Sequence, residues 1–259
     1  MSEIHPSAII DPSATLGEGC TVGPFCVIGA NVRLGARCVL RSHVVIDGHT
    51  TIGDDNEFFP FAAIGQKSQD LKFAGDPTYL EIGDRNVFRE NVTVHRSTNS
   101  ELLTKIGNDN LFLAYAHVAH ECQVSNHTIF SNNGTLAGHV KVGDYAIISG
   151  LTAVHQFCRV GAHSITGGCS KIVQDIPPFM IVDGNPAQVR GVNEVGLKRR
   201  GFSEDDIKAL RVSYKKLFLR KDRNLKEALA EFKELPAASN TCAKNLIAFI
   251  EGSERGIIR

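Results

Sequence analysis

The chain has 259 residues, 42% of them hydrophobic, and its 28 Lys and Arg balance 28 Asp and Glu. That length supports a full core, while zero formal net charge gives no global electrostatic reason to expect a nucleic acid or a membrane surface as partner. The seven cysteines form no Cys-x-x-Cys pair, no leader-like segment opens the chain, and no apolar run is long enough to span a bilayer; a soluble, reduced, cytoplasmic protein is expected.

In chain order, the first signal is a period of six. Ile4, Ile10, Leu16, Val22, Ile28, Leu34, Leu40, Ile46, Ile52, Phe58 and Ile64 set a register that resumes at Ile82, Phe88 and Val94. It then runs from Ile106 to Ile172 with one lapse, at Thr166. Of the 29 positions in this register, 25 are Ile, Leu, Val or Phe. Six fits neither a 3.6-residue helix nor a simple alternating strand, and it predicts a solenoid in which each hexapeptide is a short strand plus a corner.

A second column, four residues after each large one, holds small or β-branched side chains, including Cys20, Cys26, Cys38, Cys122 and Cys158. Strand alternation turns both columns inward, so these five cysteines are expected as packing residues. Gly often follows the large residue, as at Gly17, Gly23 and Gly35, where it relieves crowding near a bend.

Two excursions interrupt the ladder, at 66–78 and at 97–105. The first carries Asp70 and Asp76 at ladder positions and the turn-forming Gly75-Asp76-Pro77. Asp175-Ile176-Pro177-Pro178 is expected to close the solenoid. Residues 1–190 thus form the predicted solenoid domain and 191–259 a helical domain. Ser203 with Asp206 predicts a capped helix over Glu204–Arg220, and Asn224 with Glu227 another over Leu225–Leu235. Pro236 separates these from a last helix near Thr241–Gly252, and the helical domain is expected to cover one open end of the solenoid. Between Lys198 and Arg223 stand ten Lys or Arg, a patch suited to an acidic protein or a phosphate, or simply a solvated helix face.

If three hexapeptides make one coil, residues 18 apart stack at about 4.8 Å. His120, Gly138 and Gln156 then share one column, Glu121, His139 and Phe157 the next, and Ala119, Ala137 and His155 a third. His120, His139, His155 and Gln156 gather on one corner, with His117 on the strand leading into it. His43, His49, His127 and His163 read as structural. A flat solenoid face offers no enclosed pocket, so a second wall must come from the 66–78 loop or from another subunit, which favours an oligomer. A neutral imidazole at His120, oriented by Glu121, suits a general base, and the Gly138 N–H suits an oxyanion, together suggesting acyl transfer. His117-x-x-His120 with His139 equally offers three imidazoles to zinc.

Ala116-His117-Val118-Ala119-His120-Glu121-Cys122, Leu136-Ala137-Gly138-His139, Val154-His155-Gln156-Phe157-Cys158 and Gly196-Leu197-Lys198-Arg199-Arg200-Gly201-Phe202-Ser203 resemble the UDP-N-acetylglucosamine O-acyltransferases of lipid A biosynthesis. Gln69-Asp70-Leu71-Lys72 and Arg255-Gly256-Ile257-Ile258-Arg259 fit the same family. The resemblance implies a left-handed parallel β-helix, a cytoplasmic homotrimer with sites at subunit clefts, and no metal or other cofactor. The reaction it implies moves an (R)-3-hydroxyacyl chain from the phosphopantetheine of acyl carrier protein to the glucosamine 3-position of UDP-N-acetylglucosamine.

By the resemblance, His120 is the base and Gly138 the oxyanion donor, while Asp70, Lys72, His117 and His139 contact the sugar or the donor. His155, Gln156, Asn193, Arg199 and Arg200 serve the nucleotide or the carrier, and Gly168 sets acyl length, a Gly resembling versions that admit longer chains. Two departures stand out: Glu121 where the family usually has Asp, and Glu194-Val195 after Asn193, where some members place Glu second. Other fold-sharing readings are a γ-type carbonic anhydrase-like zinc hydratase and another hexapeptide acyltransferase acting on a nucleotide amino sugar. The N-acyltransferase of the same pathway carries a domain before its solenoid, whereas hexapeptides here begin at Ile4. A structural or ice-binding solenoid would want a flat Thr-rich face.

Overall fold

A computed structural model describes residues 2–219 and 223–259. The apolar register becomes strands, most of them two residues long, in three sheets of 11, 9 and 8 strands around one core among the described residues, parallel except for the last strand of the first sheet. Successive strands pass from one sheet to the next, giving a left-handed parallel β-helix of triangular section followed by helices. Strand partners such as Glu3↔Thr21 and Ile129↔Ile147 lie one three-hexapeptide coil apart.

The excursions change that spacing. Glu57 pairs with Val87 and Val87 with Leu111, so the first inserts two hexapeptide lengths and the second one. The second is shorter than the polar run predicts, because Leu103–Ile106 is already strand and pairs with Tyr79–Ile82. Ile106 joins the core, while Thr104 turns its hydroxyl to the Glu121 N–H, 2.8 Å away. Gln66 likewise belongs to the strand Ala63–Gln66, before the first excursion.

Inside, Phe58, Phe88, Phe112 and Phe130 stack with centroids 5.0, 4.8 and 4.7 Å apart. The small column holds a ladder of buried amides: Asn86 Nδ2 donates to Asn56 Oδ1 and Asn110 Nδ2 to Asn86 Oδ1, so each buried polar group is answered by the next coil. All five expected cysteines are buried and free. Burial raises the Cys38 and Cys158 thiols to about 11 and Cys122 to about 12, which makes them packing groups without thiolate chemistry. Thr166, the lapse in the ladder, is also buried, and its Oγ1 accepts from the Ser149 N–H at 2.8 Å.

At most corners, the left-handed conformation falls three residues after the large side chain, at Phe25, Arg37, His43, Glu121 and His139 among others. The Gly directly after the large residue has another cause: a Cβ on Gly17 would stand 2.5 Å from Ala36 N in the next coil. Close approach of coils, and no bend at that residue, demands glycine there.

Pro177-Pro178 does not end the sheet stacking. Met180–Gly184 adds one more parallel strand beside Ile165–Thr166 and turns back as Ala187–Val192. Among the described residues four α-helices follow: α1 Glu194–Arg199, α2 Glu204–Tyr214, α3 Leu225–Lys233 and α4 Thr241–Glu251. The Ser203–Asp206 capping box forms, and Asn224 Oδ1 accepts from the Glu227 N–H. The expected single helix to Arg220 instead loosens into a π-helical turn at Lys215–Leu219, and Arg220 lies outside the described residues. A second core, with Phe179, Met180, Leu197, Leu210, Phe232 and Leu246, seats these helices on the final hairpin. No described helix is long and apolar enough to cross a membrane.

Candidate active site

The corner between Val118 and Gln123 holds the histidines because two adjacent coils stack in register there. His139 N donates to His120 O at 3.0 Å, and Phe157 N to Gly138 O at 3.1 Å. A Cβ at residue 138 would fall 2.3 Å from His120 Cε1, so glycine is what lets the imidazole lie over the next coil. The Gly138 N–H itself donates to no group among the described residues.

Glu121 is buried, its side chain 4% exposed against 13% for His120, although the corner position suggested a solvent-facing residue. Its carboxylate is fully engaged. Oε2 accepts from His120 Nδ1 and lies 3.7 Å from His139 Nε2, while Oε1 accepts from the Thr98 and Asn99 N–H groups. Because a carboxylate only accepts, His120 Nδ1 carries a proton, and in the neutral ring Nε2 is left as an acceptor. That Nε2 faces Asp70 Oδ2 at 4.0 Å.

The first excursion thus supplies the wall that a flat face lacks. Ser68 Oγ meets Thr98 Oγ1 at 2.6 Å, tying the two excursions together, and Asp70 Oδ1 accepts from the Lys72 N–H. Between them lies a cavity of about 410 Å³ bounded by Asp70, Lys72, Asp76, Asn99, Glu121 and His139.

His117 sits one strand back, its Nδ1 2.7 Å from Thr93 Oγ1 and its ring edge-on to His95 at 4.9 Å. Burial, and then the neighbouring His120, hold His117 below the ordinary imidazole value. His139 is lowered chiefly by burial, against an opposing pull from Glu121. His95 falls to about 4, through burial first and then His117 and His120. Desolvation thus keeps these rings neutral. Among the described residues the groups that converge for a cation are His120, Glu121 and His139, and His117 is turned away to Thr93, so the three-imidazole set read from spacing is not assembled.

Other expected residues lie farther off. His155 and Gln156 are exposed one coil beyond His139, with His155 Nδ1 3.0 Å from Arg255 Nη2. Asn193 is buried and doubly used, donating to His163 O and accepting from the Gly196 N–H as the cap of α1. Arg200 packs its guanidinium over Tyr145 at 5.0 Å, on the edge of the stacked His127, Tyr145 and His163 rings. Arg199 is exposed nearby. Gly168 lies on the third edge, over Gly150. One chain therefore brings Asp70, Lys72, His117, His120, Gly138 and His139 together, and leaves Asn193, Arg199, Arg200 and Gly168 on other edges.

The basic patch is thinner than its count suggests. Arg211 pairs with Glu194 and Lys198 with Glu204, and Arg220 and Lys221 lie outside the described residues. Arg199, Lys208, Lys215 and Lys216 are exposed.

Thr93, His95, Thr98, Asn99 and Thr104 were not singled out by the sequence. Thr93 stacks on His117 only once the inserted hexapeptide length is known.

Residues 175–258 match the family model described as Udp N-acetylglucosamine O-acyltransferase, domain 2, and residues 13–48 match bacterial transferase hexapeptide repeats. The chain is 50% identical over 214 residues to the acyl-[acyl-carrier-protein]--UDP-N-acetylglucosamine O-acyltransferase of Verminephrobacter eiseniae, covering 81% of each. It is 47% identical over 212 residues to the protein of the same name from Burkholderia lata, covering 80% of each. The crystal structure of UDP-N-acetylglucosamine O-acyltransferase from Moraxella catarrhalis superposes with a TM-score of 0.92, at 44% identity over 99% of each chain.

Proposed function

The chain belongs to the UDP-N-acetylglucosamine O-acyltransferase family, and from that premise we propose that its histidine edge transfers an acyl chain from acyl carrier protein to UDP-N-acetylglucosamine in lipid A biosynthesis. The observation that carries the mechanism is the pair His120 and Glu121, with His120 Nε2 left free beside the unbonded Gly138 N–H.

His120 Nε2 removes the proton from the glucosamine 3-hydroxyl as that oxygen attacks the thioester carbonyl of an (R)-3-hydroxyacyl phosphopantetheine. The oxyanion of the tetrahedral intermediate takes a hydrogen bond from the Gly138 N–H. Its collapse breaks the C–S bond, and the imidazolium returns the proton to the leaving thiol. Glu121 holds the tautomer and stabilises the transient cation. Asp70 and Lys72 position the sugar in the cavity between the excursions, with His117 and His139 as neutral walls and donors.

Residues on the other edges enter through a second copy of the chain. In a homotrimer, a neighbour brings Gly168 towards the acyl tail, and Asn193, Arg199 and Arg200 towards the nucleotide or the carrier, while His155 and Gln156 continue the site above His139. The exposed lysines of α2 and the turn after it receive the acidic carrier protein. The protein works in the cytoplasm, and no metal takes part.

The test is turnover of UDP-N-acetylglucosamine with a panel of 3-hydroxyacyl carrier proteins after exhaustive chelation. Transfer to the 3-hydroxyl that survives chelation is expected, with longer chains accepted because Gly168 leaves room. Transfer only to a 3-amino analogue would correct the acceptor. Bound zinc with no transfer to either acceptor would favour a hydratase.

A further inference from the structure

Along the outer faces of the solenoid, several cations are matched to carboxylates of the same or an adjacent coil. Arg37 pairs with Asp55, Arg41 with Glu57, Arg85 with Asp109 and Arg89 with Glu90. Near the active site, two neighbouring cations lack such a partner. Lys141 and Arg159 are direct register partners on neighbouring parallel strands, and neither forms an ion pair among the described residues. Like charges placed opposite one another in a sheet are destabilising. Such a pair points to an anion that is not part of the chain.

The two carboxylates that line the same space, Asp175 and Glu254, form no ion pair with these cations among the described residues. Asp175 is buried and already accepts from the Arg159 N–H at 2.7 Å and from Ser253 Oγ at 2.8 Å. Glu254 is exposed and pairs with neither cation. Arg159 is instead held in place by neutral groups, its Nη1 donating to Gly252 O at 2.8 Å and its guanidinium lying 4.1 Å from the Phe249 ring centre. Arg255 adds a third cation without a carboxylate, its Nε donating to Val173 O at 3.2 Å.

These three cations line a cleft of about 730 Å³ that begins at His139. His139 also bounds the cavity of Asp70 and Lys72 on the other side. Two spaces therefore meet at the reacting corner, one walled by the excursion loops and one running about two coils, roughly 10 Å, up the face towards the C-terminal helices. Phe157, stacked on His139 at 4.5 Å, gives the second space an apolar floor.

We propose that the cleft of Lys141, Arg159 and Arg255 binds the phosphate of the acyl donor's phosphopantetheine arm. The proposal rests on the acyl-transfer reading, because the donor is what must approach the corner from the side opposite the sugar. Partly hydrated guanidinium and ammonium groups suit a phosphodiester, and the apolar floor suits the arm between phosphate and thioester.

The experiment compares three donors carrying the same 3-hydroxyacyl group: acylated carrier protein, acyl-phosphopantetheine, and acyl-pantetheine, which lacks the phosphate. Lys141→Gln is expected to raise KM for both phosphate-bearing donors about three- to fivefold, the upper scale of one partly exposed ion pair. KM for acyl-pantetheine and for UDP-N-acetylglucosamine should stay where they are, and Lys141→Arg should restore the donor KM. Lys105→Gln, in the same column but paired with Glu81 at 3.8 Å, should leave donor KM unaltered. An unchanged donor KM in Lys141→Gln, or an equal rise for acyl-pantetheine, would overturn the proposal. A rise confined to the nucleotide would also overturn it, by assigning the cleft to the diphosphate. Failure of the unmodified enzyme to transfer from any donor would instead refute the acyl-transfer reading itself.

Discussion

Glu121 makes the contacts that decide how His120 can act. Its carboxylate accepts from His120 on one oxygen and from the Thr98 and Asn99 N–H groups on the other. A Gln there has a single acceptor oxygen, so either His120 loses its orienting partner or the second excursion loses its anchor. Glu121→Gln is expected to lower kcat about 100-fold, the scale seen when an orienting partner of a functional histidine is removed. A kcat within about threefold of the unmodified enzyme, at saturating donor and acceptor, would show that the orientation is not needed. The cluster of His120, Gly138 and His139 was legible in the sequence because 18-residue arithmetic holds wherever the ladder is unbroken. The burial of Glu121 was not, since its partners Thr98 and Asn99 arrive on an excursion whose path the six-residue period does not describe.

The same limit appears at the level of elements. The period of six located the strands, and the capping residues located most helix starts, because both signals are local. Where a strand resumes after an insertion depends on pairing with another coil, which is why Leu103–Lys105 was read as loop. His95 was missed for that reason too. It is 5% exposed, with its pKa depressed to about 4. The unfolded chain therefore binds the proton first as pH falls. Stability from keeping His95 neutral is complete above the unfolded value near 6.5 and is lost as pH drops from there towards 4. His163, likewise held near 4 chiefly by burial, adds a slope of the same sign. Urea unfolding should show a flat stability above pH 6.5 and a decline below it, with about 3 kcal/mol at stake for His95. His95→Leu should make that decline shallower. An identical pH slope in the variant would mean that His95 is not the group responsible.

For the whole molecule, a solenoid leaves its residues on three separate edges, and the expected site residues occupy all three. Coil arithmetic could assign each residue to its edge, but no pattern within one chain states which edges meet in an assembly. That is why the proposed mechanism brings Gly168, Asn193, Arg199 and Arg200 in through a neighbouring copy and assigns the chemistry to the His120 edge. The most direct measurement is turnover of His120→Ala, with acylated carrier protein and UDP-N-acetylglucosamine both saturating. His120 is an edge residue outside the core, so the variant should fold and assemble as the unmodified protein does. Its kcat is predicted to fall about 10²- to 10⁴-fold, the usual contribution of a positioned general base. A variant that kept most of its turnover would contradict the assignment of His120 as the group that takes the proton.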